Sequence, residues 1–152
     1  MTGTIAQAQP RPNTEAGMCT LEGTLRSMTF EFLGTGGHKV AHADLFAAPD
    51  AVVLDVRTRE EAESLAFPLR HQVREVIQIP LNELPDRLDE LPPDCPIGIL
   101  CVSDVRSAIA FAYLRAKGCT QARILAGGTA ALVAELKTGK VREHIYTKDA
   151  TS

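Results

Sequence analysis

The feature of this sequence with the clearest chemical potential is a cysteine followed, five positions later, by an arginine. Cys101 ends an apolar run, Ile97-Gly-Ile-Leu-Cys101, and residues 105–117 have the composition of a helix that begins beside Arg106. Where a strand leads directly into a helix, the unpaired N–H groups and the dipole of the helix favour negative charge. Arg106 adds a full positive charge. These effects favour the thiolate form of Cys101, which attacks a sulfane sulfur or another electrophile.

The same position also has a plain structural interpretation. A cysteine at the end of a buried strand is often only a small apolar side chain of the core. From the residues alone, the reactive and the inert interpretation of Cys101 both stand. In the reactive case, the N–H groups of residues 102–106 are expected to surround the terminal sulfur of a persulfide anion.

Composition and charge exclude several classes of function. A chain of 152 residues with a net charge of -3 and no long basic run predicts one globular domain that does not bind nucleic acid. No stretch approaches the roughly 18 apolar residues that span a bilayer, and no secretory signal is recognisable, so we expect a cytoplasmic protein. Its four cysteines form no metal-binding motif and are expected to be free thiols: Cys19, Cys95, Cys101 and Cys119.

Strand-like and helix-like segments alternate along the chain. This order predicts an α/β fold with a mostly parallel central sheet and helices on both faces. The predicted strands cover residues 28–33, 51–56, 73–79, 97–101 and 122–125. The predicted helices cover residues 41–48, a segment that begins with the capping box Thr58-Arg-Glu-Glu61, short pieces within 81–91, residues 105–117, and a segment after Gly127-Gly128. Ligands of such folds bind at the carboxyl ends of the strands, where Cys101 is placed.

Four short motifs, in this order, resemble signatures of the rhodanese-like family. They are Leu54-Asp-Val-Arg57, Ile79-Pro-Leu81, the loop Cys101 to Ser107 and Leu125-Ala-Gly-Gly128. The resemblance covers residues 28–137. It implies a rhodanese-like domain over residues 25–140. Residues 1–24 have no apolar periodicity and are expected to form a flexible N-terminal tail, and residues 141–152 are expected to form a C-terminal tail.

The resemblance also implies an activity. Members of the family are sulfurtransferases or sulfur carriers, and Cys101 matches their catalytic cysteine, which holds the sulfur as a persulfide. The substrate-binding and persulfide-binding loop is then Val102, Ser103, Asp104, Val105, Arg106 and Ser107, with Asp55 and Arg57 in supporting positions. The implied donor is a small sulfur compound such as thiosulfate or a persulfide. The implied acceptor is cyanide or a thiol, including a protein thiol. No metal, organic cofactor, nucleic acid or membrane partner is implied.

The sequence departs from the family pattern in ways that bear on the donor. Asp104 stands where many members have glycine, and positions that are often basic are Val102 and Val105, so Arg106 is the only cation in the loop. A carboxylate near the sulfur repels dianionic thiosulfate, so we expect weak use of thiosulfate and a persulfide as donor. The same departures leave a second function open, in which the protein is a binding or regulatory module that retains the cysteine without catalytic turnover. The related phosphatases of this fold have a loop one residue longer, which disfavours phosphoryl transfer here.

Several other residues have two interpretations. Asp55 and Arg57 either steer substrate or, as we favour, have structural roles, in which Asp55 accepts backbone N–H bonds and Arg57 pairs with an acid such as Glu61. Ser103 either donates to the sulfur or caps the following helix. His71-Gln72-Val73 replaces the family's Gly-His-Ile segment and is interpreted as a solvated loop. Cys95 and Cys119 are placed too far from Cys101 to resolve a persulfide, and only Cys19, in the tail, is left as a thiol that could reach it.

Overall fold

The short apolar runs of the chain form one parallel sheet in the computed structural model, which describes residues 20–137. Its five strands lie in the order β1-β5-β4-β2-β3, and each neighbouring pair is parallel. The strands are β1 (Lys39–Val40), β2 (Val52–Asp55), β3 (Glu75–Gln78), β4 (Ile97–Leu100) and β5 (Ala122–Leu125). The α/β fold with a mostly parallel sheet, predicted from the sequence, is confirmed.

Helices cover both faces of this sheet. They are α1 (Leu21–Ser27), α2 (Phe30–Gly34), α3 (His42–Ala47), α4 (Arg59–Ser64), α5 (Val105–Ala116) and α6 (Gly128–Glu135), with 3₁₀ turns at Leu81–Glu83 and Leu88–Glu90. One core contains Phe111 and Leu114 of α5. The other contains Phe46 of α3 and Leu132 of α6. Burial of these apolar faces is the main force that holds the helices on the sheet.

The neighbouring strands β2 and β4 end side by side at the carboxyl edge of the sheet. Every residue of both strands is buried, as expected for strands covered on both faces. Asp55 lies opposite Leu100 in the parallel register, so the segment after β2 adjoins Cys101. Within β4, a Cβ on Gly98 would overlap the side chain of Leu45 and lie 2.9 Å from Cγ of Leu125, so glycine allows the helical layer to approach closely.

The N-terminal part of the domain differs from the prediction. Residues 28–33 are not a strand, because Thr29 accepts a hydrogen bond from the N–H of Phe32 (3.2 Å) and starts helix α2. The first strand is instead the two-residue β1, which pairs with β5. The boundary expected between residues 24 and 25 falls inside α1, where Thr24 is buried. The expected tail after residue 140, and most of the tail expected before residue 25, lie outside the described residues.

The remaining elements agree with the patterns that predicted them. The capping box is present, with Glu61 N–H donating to Oγ1 of Thr58 (3.2 Å) and Thr58 N–H donating to Oε2 of Glu61 (2.9 Å). Helix α5 is followed by Gly118 at a positive φ of 84°, which suits the end of a helix. The segment around Pro85 forms two short 3₁₀ turns, because proline interrupts the helical pattern.

Candidate active site

Cys101 lies immediately after β4 and is fully buried. Its Sγ accepts a hydrogen bond from the backbone N–H of Ser107 at 3.4 Å. This N–H belongs to the first turn of α5, where backbone donors have no partner within the helix. The hydroxyl of Ser107 donates to the carbonyl of Ile99 (3.1 Å) and so ties the start of α5 to β4. The start of the helix therefore points a donor at the sulfur, and this donor is the N–H of Ser107.

The loop between β4 and α5 turns through a left-handed residue. Val102 and Ser103 are exposed, and Asp104 has φ 65° and ψ −13°. Among residues 20–137, Asp104 is the only non-glycine residue with a positive φ. Aspartate tolerates this conformation better than most residues, and this tolerance allows the loop to form without the usual glycine.

A two-glycine turn supports the loop from its other side. Gly127 and Gly128 have φ of 85° and 60°. A Cβ on Gly128 would overlap the carbonyl of Val102 and lie 2.9 Å from the carbonyl oxygen of Cys101. The backbone N–H of Gly127 donates to Oδ2 of Asp104 at 3.1 Å. The motif that ends in Gly128 is thus packed directly against the backbone of the cysteine loop.

The only cation of the loop is held by a carboxylate of the neighbouring helix. Arg106 donates from Nη1 and Nη2 to the two carboxylate oxygens of Glu61, at 2.6 and 2.9 Å. This bond, followed by the bond from Thr58, holds the pKa of Glu61 at about 2, below its usual value. Both side chains are partly exposed. In this structure the two terminal nitrogens of Arg106 bind Glu61.

A second arginine close to the site, Arg57, donates hydrogen bonds to other groups of the protein from Nε, Nη1 and Nη2. Arg57 binds Asp55 through Nη2 (2.7 Å) and Nε (2.9 Å), and its backbone N–H donates to the same carboxylate (3.1 Å). Its Nη1 donates to the carbonyl of Leu65 (2.9 Å), and Phe67 lies beneath the guanidinium. The expected partner of Arg57 was the carboxylate of Glu61. The observed partner is Asp55, and Glu61 offers only its carbonyl (3.3 Å). The geometry favours the structural interpretation of both residues.

One buried residue near the loop, His42, was not predicted from the sequence to belong to the site. His42 of α3 is 5% exposed, and its Nε2 has no hydrogen-bond partner in the described structure. Burial lowers the pKa of His42, and the negative charges of Glu135 and Asp104 partly oppose that effect. Because His42 lies in a segment of the sequence far from the loop, a single histidine on a short helix could not be linked to Cys101 in advance.

The other described cysteines belong to the core. Cys95 and Cys119 are buried among apolar side chains, and burial raises the pKa of the Cys95 thiol. Cys19 lies outside the described residues. Within residues 20–137, no cluster of three or more histidine, cysteine, aspartate or glutamate residues could hold a metal ion. No helix in that range is long and apolar enough to cross a membrane.

The arrangement defines a class of protein: a parallel α/β domain with a buried cysteine between a central strand and a helix at the carboxyl edge of the sheet. The family model described as "Rhodanese-like domain" matches residues 40–135, and the chain therefore belongs to the rhodanese-like family.

Individual relatives agree with this assignment. A sulfurtransferase of Allochromatium vinosum is 33% identical over 79 residues, which are 52% of this chain and 68% of the relative. A rhodanese-related protein of Thermoplasma volcanium has a TM-score of 0.54 at 25% identity, over 65% of this chain and 93% of that protein. An NAD-dependent persulfide reductase of A. fulgidus has a TM-score of 0.50 at 31% identity, over 72% of this chain but only 18% of the reductase. The family match and the Allochromatium relative support a sulfurtransferase-type role.

Proposed function

We propose that Cys101 carries a sulfane sulfur as a persulfide. The observation that supports this proposal best is the position of Sγ at the end of β4, where the N–H of Ser107 donates to it. A donor N–H at the start of a helix stabilises negative charge on sulfur. The same environment suits both the attacking thiolate and the persulfide anion that follows.

The transfer takes two steps. In the first, the Cys101 thiolate attacks the sulfane sulfur of the donor, the donor's S–S bond breaks, and its electron pair leaves with the donor as a thiolate, or as sulfite if the donor is thiosulfate. In the second, an acceptor thiolate or cyanide attacks the terminal sulfur. The bond to Sγ of Cys101 then breaks, and the electron pair returns to Sγ as the thiolate. No net oxidation is required.

The charges around the loop favour a persulfide over thiosulfate as the donor. Arg57 and Arg106 are each paired with a carboxylate, so a dianion would have to displace Glu61 to bind Arg106. The rim of the loop carries exposed apolar side chains, Val102 and Val105. At its reacting end a low-molecular-weight or protein persulfide carries at most one negative charge, beside an apolar stem that this rim can contact. The name of the A. fulgidus relative, a persulfide reductase, supports the same donor class.

Intact-mass spectrometry tests the proposal. The protein is incubated with glutathione persulfide and, separately, with thiosulfate. We expect a gain of one sulfur atom that cyanide removes, with more loading from the persulfide. Cys101→Ser should lose the gain, whereas Cys95→Ser and Cys119→Ser, matched changes at buried core cysteines, should retain it.

A second candidate function is a binding or regulatory module that keeps Cys101 without turnover. The observation that favours it is the occupied Arg106, whose two terminal nitrogens bind Glu61. If neither donor adds sulfur to Cys101, the carrier proposal is contradicted and this module is the better account.

A further inference from the structure

Asp104 binds a helix other than the one it precedes. An aspartate at the N-cap of a helix ordinarily accepts an N–H from the first turn of that helix. Asp104 is the N-cap residue of α5, yet its side chain makes no such bond. Its Oδ2 instead accepts from the N–H of Gly127, 23 positions away in the sequence. The carboxylate therefore joins two segments that are separate along the chain.

The bond of Asp104 falls at the start of α6. Gly127 is the N-cap residue of α6, and no side chain of its own segment caps that helix. A carboxylate at this end also interacts favourably with the dipole of the helix. Gly128 packs against the backbone carbonyls of Val102 and Cys101 at the same point. Two independent contacts thus join the cysteine loop to the first turn of α6.

The other oxygen of the Asp104 carboxylate faces the protein interior. Oδ1 is buried and has no hydrogen-bond partner in the described structure, and the same is true of Nε2 of His42. The charges that act on His42 come from Asp104 in the loop and Glu135 in α6. The carboxylate of Asp104 is therefore within electrostatic reach of His42.

We propose that Asp104 is a positioning residue for Cys101: its carboxylate fixes the left-handed turn of the loop by bonding it to the start of α6. Where glycine would allow this turn by conformational freedom, Asp104 holds it by a specific bond. A fixed turn keeps the N–H of Ser107 directed at Sγ. The expected effect on sulfur loading rests on the proposed function, whereas the bond itself does not.

Three variants separate the bond from the conformation and the charge. Asp104→Gly keeps the freedom to adopt the left-handed turn but removes the bond. Asp104→Asn keeps an oxygen acceptor and tolerates the same turn, but removes the charge. Asp86→Asn removes one charge at an exposed position and serves as the matched control.

The first measurement is the rate of amide hydrogen exchange at Gly127, which NMR monitors in the full chain. We expect exchange about tenfold faster in Asp104→Gly, the size of effect that loss of one charge-assisted hydrogen bond produces. Asp104→Asn should lie between the two rates, because a neutral oxygen accepts a weaker bond, and Asp86→Asn should stay at the wild-type rate. Unchanged exchange at Gly127 in Asp104→Gly would overturn the proposal.

The second measurement is the rate at which glutathione persulfide loads Cys101. We expect Asp104→Gly to load about tenfold more slowly and Asp104→Asn to recover most of the rate. Equal rates in wild type and Asp104→Gly, or equal impairment in Asp104→Gly and Asp104→Asn, would contradict a positioning role. If the wild-type protein takes up no sulfur, the proposed function fails by itself. The rate of Cys101 alkylation by iodoacetamide then replaces loading in the same comparison.

The third measurement is the NMR titration of His42. Removing the negative charge of Asp104 should lower the pKa of His42, because that charge favours the protonated imidazole. We expect Asp104→Asn to shift the titration to lower pH and Asp86→Asn to leave it unchanged. A titration that is the same in all three proteins would show that Asp104 does not face His42.

Discussion

Two arginine–carboxylate pairs flank the cysteine loop, and they differ in burial. In the Asp55–Arg57 pair, the side chains are 5% and 3% exposed. In the Glu61–Arg106 pair, they are 38% and 30% exposed. Both pairs are bidentate, with bonds of 2.6–3.1 Å. Their geometry is therefore similar, and the main difference is access to water.

This difference separates a structural pair from an exchangeable one. Arg57 has almost no contact with solvent, so a charge left there without Asp55 would remain buried and uncompensated. Arg106 can be reached by water and by anions, and a pair of this kind contributes little to stability. We infer that the buried pair holds the end of β2 in place, whereas the exposed pair regulates what binds beside Cys101.

The largest expected effect is the loss of stability when the buried pair is broken. Asp55→Asn should lower the free energy of unfolding by about 3–5 kcal/mol, because Arg57 keeps its charge in the interior. Urea unfolding followed by circular dichroism measures the change. The matched change in the exposed pair, Glu61→Gln, should lower it by less than about 1 kcal/mol. Equal losses in the two variants would remove the distinction between the pairs.

An intermediate effect is expected on the choice of donor. Glu61→Gln removes the negative charge that holds Arg106, so the guanidinium becomes available to an anion. We expect loading of Cys101 by thiosulfate to rise about fivefold relative to loading by glutathione persulfide, the equivalent of about 1 kcal/mol. Glu60→Gln, at the neighbouring exposed position of α4, is the control. A parallel change with both donors would show that Glu61 does not restrict anionic donors.

The smallest effect is the pH dependence of the exposed pair. The bond from Arg106 lowers the pKa of Glu61 to about 2, from 4.5. A carboxylate with a lowered folded-state pKa adds stability above its unfolded value, and this contribution is lost as the pH falls toward the folded value. The difference in free energy of unfolding between wild type and Glu61→Gln should therefore shrink between about pH 4.5 and about pH 2. A difference that stays constant across that range would contradict the assigned pair.

The central part of the fold could be predicted because its signals are local. β2 and β4 are short apolar runs buried on both faces, and the Thr58 capping box lies within four consecutive residues. The position of Cys101 followed from the same logic, since β4 leads directly into α5. The segment 28–33 was predicted wrongly because apolar residues alternate over six positions there, although Thr29 caps a helix.

The partners of the charged residues could not be predicted, because they depend on tertiary contacts. Glu61 is 45 positions from Arg106, and Gly127 is 23 positions from Asp104. Nothing in the local pattern shows that the loop cation is neutralised or that the loop carboxylate binds the start of α6. The sequence placed Cys101 and its loop between β4 and α5, whereas the pairing of the charged residues required the three-dimensional structure.

The most direct test of sulfur transfer through Cys101 is a single-turnover experiment with a donor labelled at its sulfane sulfur. Samples quenched over time are analysed by peptide mass spectrometry, and cyanide is then added. We predict that the label appears first on the peptide containing Cys101 and leaves it at the rate at which labelled thiocyanate forms. Labelled thiocyanate that forms at the same rate in Cys101→Ser, or label that never appears on the Cys101 peptide, would contradict the proposed function.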